Sequence, residues 1–188
     1  MPVLRGLAQL VRPFPGETAC GDDVVVVRSE SAILIAVIDA LGHGERAAEV
    51  ARALRASLEG ADLSLGLRAL FDRAHTALRG TRGAAMTAVL LRASELEACG
   101  VGNVALRSEG LALSFVPTPG VVGVRMPRLR PVVSARAPGA RIVLASDGIS
   151  TRMSLSDARS RDAAQACREL FDLHAKDHDD VSLAVIDL

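Results

Sequence analysis

Residues 24–44 read VVVVRSESAILIAVIDALGHG, and the change of character along this stretch decides the fold. Val24 to Arg28 and residues 32–38 are two β-branched, apolar runs joined by the polar turn Ser29-Glu30-Ser31, the pattern of consecutive strands. Both runs are apolar at odd and even positions alike, so the sheet they enter is expected to be covered on both faces. After Asp39 come the small residues Ala40-Leu41-Gly42-His43-Gly44, and then the period lengthens. Ala47, Val50, Ala51, Leu54 and Leu58 share one stripe while Arg46, Glu49, Arg52 and Arg55 lie elsewhere, which predicts an amphipathic helix over 45–59 ended by Gly60.

Outward from this stretch, residues 2–13 form a candidate first strand, broken by Pro13, Pro15 and Gly16. A second helix is predicted over 64–78, with Leu67, Leu70, Phe71, Ala74 and Leu78 on its apolar side. Strands over 85–91, 96–100, 104–107 and 111–116 then read as an antiparallel meander. Residues 117–139 carry five prolines and three glycines and are expected to be irregular, with a candidate short strand at 121–124. A strand at 141–145 follows. Ser156 is a candidate cap for a third helical region with the stripe Ala163, Cys167, Leu170, Phe171 and His174, and a strand at 181–188 closes the chain. Two consecutive helices and a meander argue against βαβ alternation. The expected class is α+β: two mainly antiparallel sheets packed together with helices outside, in one domain over 1–188.

Composition narrows the function classes. Twenty-two basic and 22 acidic residues balance to zero, which gives no electrostatic case for nucleic acid or an anionic membrane as partner. No window approaches the roughly 18 apolar residues of a membrane span, and Arg5 and Arg12 interrupt the start as no signal peptide would, so a cytoplasmic location is expected. Cys20, Cys99 and Cys167 lack CxxC spacing, so neither a zinc ribbon nor a disulfide framework is expected.

Four acidic motifs border the apolar runs: Gly21-Asp22-Asp23, Asp39-Ala40, Ser146-Asp147-Gly148 and Asp177-His178-Asp179-Asp180. Carboxylates at strand ends beside small residues are how hard divalent cations are held. Asp39 suits a bridging position, because the small residues after it let backbone approach an ion.

The ordered set GDD, DALGHG, MTAVLL, GVGN, ASDGI and DDVSLAVI resembles the PPM (PP2C-type) metal-dependent serine/threonine phosphatases. It is most similar to their bacterial branch containing SpoIIE, RsbU and RsbX, and in compact length to RsbX, over nearly the whole chain from Gly21. The resemblance implies a PP2C-like sandwich and two Mn²⁺ or Mg²⁺ ions. It implies that Asp22 binds one metal, Asp39 bridges both, Ala40 lends its carbonyl, and Asp147 and Asp179 complete the other shell. The reaction implied is in-line attack by metal-bound hydroxide on a phosphorylated STAS-domain protein, either stressosome proteins of the RsbR/RsbS kind or an anti-sigma antagonist. The alternative is a catalytically inactive PP2C-like module that docks on such a partner.

Asp23 and Asp180 are candidates for an outer shell or a third metal. His43 reads either as a general acid or as a loop-stabilising residue, and His178 as a possible metal neighbour. Thr87 and Asn103 read as structural. His75, Arg79, Arg82 and Arg152 read as surface residues.

Overall fold

The computed structural model describes residues 2–160 and 162–188; Met1 and Arg161 of the expected 1–188 span lie outside them. Among the described residues nine strands form two sheets. One holds β1 (Gly6–Arg12), β6 (Ala105–Glu109), β8 (Arg141–Ala145) and β9 (Val181–Asp187) in the order β1-β9-β8-β6. The other holds β2 (Asp22–Arg28), β3 (Ile33–Ala40), β4 (Ala84–Leu91), β5 (Glu95–Val101) and β7 (Val132–Ala135) in the order β2-β3-β4-β5-β7. Every pairing of these strands is antiparallel. Helices α1 (Glu45–Glu59) and α2 (Gly66–Ala77) cover the outer face of the five-stranded sheet, and α3 (Ala163–His174) covers that of the four-stranded one.

The two-sided apolarity of β3 explains these layers. Ile33, Ile35 and Val37 face the other sheet, while Leu34, Ala36 and Ile38 face α1 and α2; all six are buried. Burying a side chain of this size contributes about 1.5–3 kcal/mol, so one strand holds two interfaces together. The same alternation assigns the acidic residues. Asp39 continues the face of Val37 and so points between the sheets, at their open end. On β2, Asp22 shares the inter-sheet face of Val24, while Asp23 shares the helix-facing side of Val25. On β9, Ser182 precedes Ala184 and Ile186 on the inter-sheet face.

The α+β sandwich is as expected, and α1 has the expected bounds. Several local expectations are corrected. Residues 111–116 are not a strand. Leu111, Leu113 and Phe115 do alternate inward against the inter-sheet core, but the segment has no ladder partner. Its alternation records burial on one side and not pairing. The meander is likewise broken, because β6 leaves the sheet of β4 and β5 and pairs with β8 in the other. Within 117–139, β7 is a regular strand on the edge beside β5, while 121–124 makes only isolated bridges, Ala84 with Val122 and Val121 with Arg125. The second helix opens with a 3-10 turn, Leu63–Leu65, before Gly66. The cap of α3 is Asp162, which accepts from Gln165; Ser156 sits instead inside a separate 3-10 turn capped by Ser154. Among the described residues no helix is long and apolar enough to cross a membrane.

Candidate active site

The antiparallel register of β2 and β3 sets Asp22 directly opposite Asp39. Like charges in this position destabilise a sheet unless something offsets them. The second sheet brings two more carboxylates to the same opening. Asp147 follows β8 by two residues and Asp179 precedes β9 by two. The ends of β8 and β9 are stitched by Ser146 N to the Ser182 carbonyl (3.0 Å) and Ser182 N to Ser146 Oγ (2.9 Å). Gly148 permits this closeness: a Cβ there would stand 2.0 Å from the Asp180 carbonyl oxygen.

Hydrogen bonds orient the carboxylates. Ser182 Oγ donates to Asp22 Oδ2 (2.9 Å). Asn103, in the turn after β5, donates through Nδ2 to Asp147 Oδ2 (2.8 Å), and its amide also favours the charged form of Asp39. Lys176 donates through Nζ to the Asp147 backbone carbonyl, and its charge eases the ionisation of Asp179. Asp180 accepts from the backbone N–H of Gly21 (2.9 Å) and of Phe14 (2.6 Å), so it clamps the loop that leads into Asp22.

Charge is crowded here. Burial, then repulsion from Asp22, Asp147 and Asp179, pushes the Asp39 carboxyl up to about 8. Burial raises Asp22 to about 7, against the pull of the Ser146 and Ser182 hydroxyls and with added repulsion from Asp180 and Asp147. Asp179 is raised as well, by burial and by Asp147. Four carboxylates therefore act on one another across the open end of the sandwich. Among the described residues, no three His, Cys, Asp or Glu side chains are drawn closely enough together to cage an ion. The donor set is nevertheless all oxygen and anionic, two of its members are strained toward protonation, and its chemistry fits a hard divalent cation.

The remaining expected residues fall on both sides of this boundary. Ala40 follows Asp39 with its N–H bonded to the Gly21 carbonyl (3.1 Å), and no described non-glycine residue has positive φ, so this backbone is unstrained. Asp23 lies outside the site: Arg55 of α1 grips it with two bonds (2.7 and 2.5 Å) on the opposite face of β2. Asp180 is an anchor for backbone amides. His43 pairs with Glu17 (3.2 Å) and stacks on Phe14 with centroids 4.4 Å apart, which makes it a loop residue. Thr87 is structural, its hydroxyl bonded to the Val104 carbonyl (2.7 Å). His75 is more than surface, because it accepts the Gly123 N–H (2.9 Å) and ties α2 to the irregular segment. Burial pushes the Cys20 thiol up to about 12, with Asp180 adding to the effect.

Two residues at the site were not legible as such. Asn103 read as a turn former, and Lys176 carried no motif. The one available signal was that Lys176 is the only lysine in a chain otherwise rich in arginine.

No family model and no curated protein matches the chain by sequence. Solved structures do. A protein solved in work on the bacterial stressosome, a modular system adapted to control secondary messenger signaling, superposes with a TM-score of 0.88 at 30% identity, covering 96% of this chain and 98% of that one. RsbX in complex with magnesium matches with a TM-score of 0.85 at 18% identity, covering 95% and 92%. The catalytic domain of the serine/threonine phosphatase PstP with two manganese ions matches with 0.72 at 18%, covering 96% of each chain. The fold is thus that of the PP2C-type (PPM) serine/threonine phosphatases. At 30% identity over nearly its full length, the chain belongs to the same family as the stressosome-related protein.

Proposed function

We propose that this chain is a single-domain, metal-dependent phosphoprotein phosphatase that removes phosphate from serine or threonine. The observation that carries the reading is the cross-strand Asp22–Asp39 pair facing Asp147 and Asp179, a concentration of carboxylate that the fold itself leaves largely uncompensated. Asp22, Asp39, Asp147 and Asp179, with the Ala40 carbonyl, would hold two Mn²⁺ or Mg²⁺ ions. When bound, such a pair polarises a phosphoryl group and activates water.

The chain's own residues prepare the site. Ser182 fixes Asp22, Asn103 fixes Asp147 beside Asp39, and Asp180 fixes the loop before Asp22. The RsbX-like branch is the closer assignment we propose, supported by the motif order and by likeness to RsbX and to the stressosome-related relative. The substrate it suggests is a phosphorylated STAS-domain protein, RsbR/RsbS-like or an anti-sigma antagonist.

The test is hydrolysis of p-nitrophenyl phosphate with and without Mn²⁺ by the wild type and by Asp39→Asn. Metal-dependent turnover is expected, with a loss of at least about 100-fold in the folded variant. Full activity in folded Asp39→Asn would overturn the assignment of Asp39.

A further inference from the structure

Beside the carboxylates lies a groove of ≈ 370 Å³ lined by Leu41, Ala85, Gly102, Asn103, Pro119, Gly120 and Val121. None of these residues is ionisable. The groove is continuous with the acidic site through Asn103, whose amide bonds Asp147, and through Leu41, two residues after Asp39.

Its walls are held from the backbone. Thr118 N donates to the Gly100 carbonyl (2.9 Å) and Gly102 N to the Thr118 carbonyl (3.0 Å) on one side of Pro119-Gly120-Val121. On the other side Val122 and Ala84 exchange two bonds (2.9 and 3.1 Å). Leu41 is held at both its peptide groups, by Gly83 through its N–H (3.1 Å) and by Arg82 Nη1 on its carbonyl (3.0 Å). Leu41 is nonetheless 41% exposed, and Val124, which like Val121 lies against Gly83, is 61% exposed. Leu41 and Val124 thus present apolar surface from a firmly bonded backbone at the lip of the charged site, on a groove whose volume lies in the range of ligand pockets.

We propose that this groove takes the apolar side chain of a residue next to the phosphorylated serine or threonine of the protein substrate. The proposal rests on the phosphatase reading for its occupant. The uncharged lining of the groove offers a neighbouring Leu or Val contact area, whereas a neighbouring Asp would lose hydration against it and would also face the acidic site. Selection by the groove therefore acts on the sequence around the phosphoresidue, which a small phosphorylated metabolite does not possess.

The experiment uses phosphoserine peptides that differ only in the residues flanking the phosphoserine, Leu in one and Asp in the other. Binding is followed by fluorescence anisotropy and turnover by phosphate release with Mn²⁺. The Leu peptide is expected to bind and react at least about tenfold better, and in Val121→Asp or Pro119→Asp that ratio should fall below about twofold. Preference for Leu in binding without turnover would uphold the groove and sink the phosphatase reading. Turnover of both peptides with equal kcat/KM would do the reverse, and absence of any binding preference overturns the groove whatever the turnover.

Discussion

The strand pair β8–β9 carries charge at both ends, and the two ends are treated in opposite ways. At one end Arg141 and Asp187 stand opposite each other in the register and close a two-bonded ion pair of 2.7 and 2.9 Å, with each side chain mostly buried. At the other end Asp147 and Asp179 join Asp22 and Asp39, where the carboxylates repel one another and the charge of Lys176 eases the ionisation of Asp179. Charge that a fold needs for itself is neutralised within the fold. Charge left repelling itself at a strand end marks a candidate functional site.

The largest expected effect comes from pH. Asp22 and Asp39 have folded-state values raised to about 7 and about 8 from an ordinary 3.8. A raised carboxyl contributes stability that is complete below its unfolded value and is lost as pH rises through the folded one. The metal-free protein should therefore melt at its highest temperature near the acid end of the window from about 4 to 8 and become less stable toward pH 8. Asp39→Asn should flatten that slope in a thermal scan. Because bound cations displace the same protons, Mn²⁺ affinity measured by calorimetry should rise by about 100-fold between pH 6 and 8. A flat profile would erase the contrast between the two ends.

At the neutralised end, Arg141→Met should cost about 2–3 kcal/mol in chemical denaturation, somewhat less than for a wholly buried pair, because it strands Asp187. Mn²⁺ affinity should hold within about twofold, since the ions would lie at the far end of the strands. A large loss of affinity would mean the ends are coupled. The smallest effect is expected at Lys176. Removing its charge in Lys176→Met should tighten Mn²⁺ binding about threefold, as a cation no longer competes for Asp179. Weaker binding would show instead that its bond to the Asp147 carbonyl positions that loop.

Much of the fold was legible because its signals are local. The helical stripe of Ala47, Val50, Leu54 and Leu58 fixes the face of α1 within four turns, and all four side chains are buried. The two-sided apolar run of β3 announces a covered sheet before any partner strand is known. Residues 111–116 mislead for the same reason: Leu111, Leu113 and Phe115 alternate as a strand would, but alternation reports burial and says nothing of a neighbour to bond. Asp22 and Asp23 show the finer limit. Period-two geometry requires them to point apart, yet only the position of Arg55 on α1 reveals which of the two is claimed by the structure.

From the sequence alone came the α+β layering, most element positions and the set of acidic motifs at strand ends. Tertiary structure decided that Asp22 opposes Asp39, that Asp180 anchors backbone while Asp23 pairs with Arg55, and that Asn103, Lys176 and an apolar groove border the carboxylates. The division has one cause. Hydrophobic periodicity is written between residues two to four apart, whereas the candidate site joins Asp22 and Asp39 to Asp147 and Asp179 across more than a hundred residues, and only when two sheets pack and their open ends coincide.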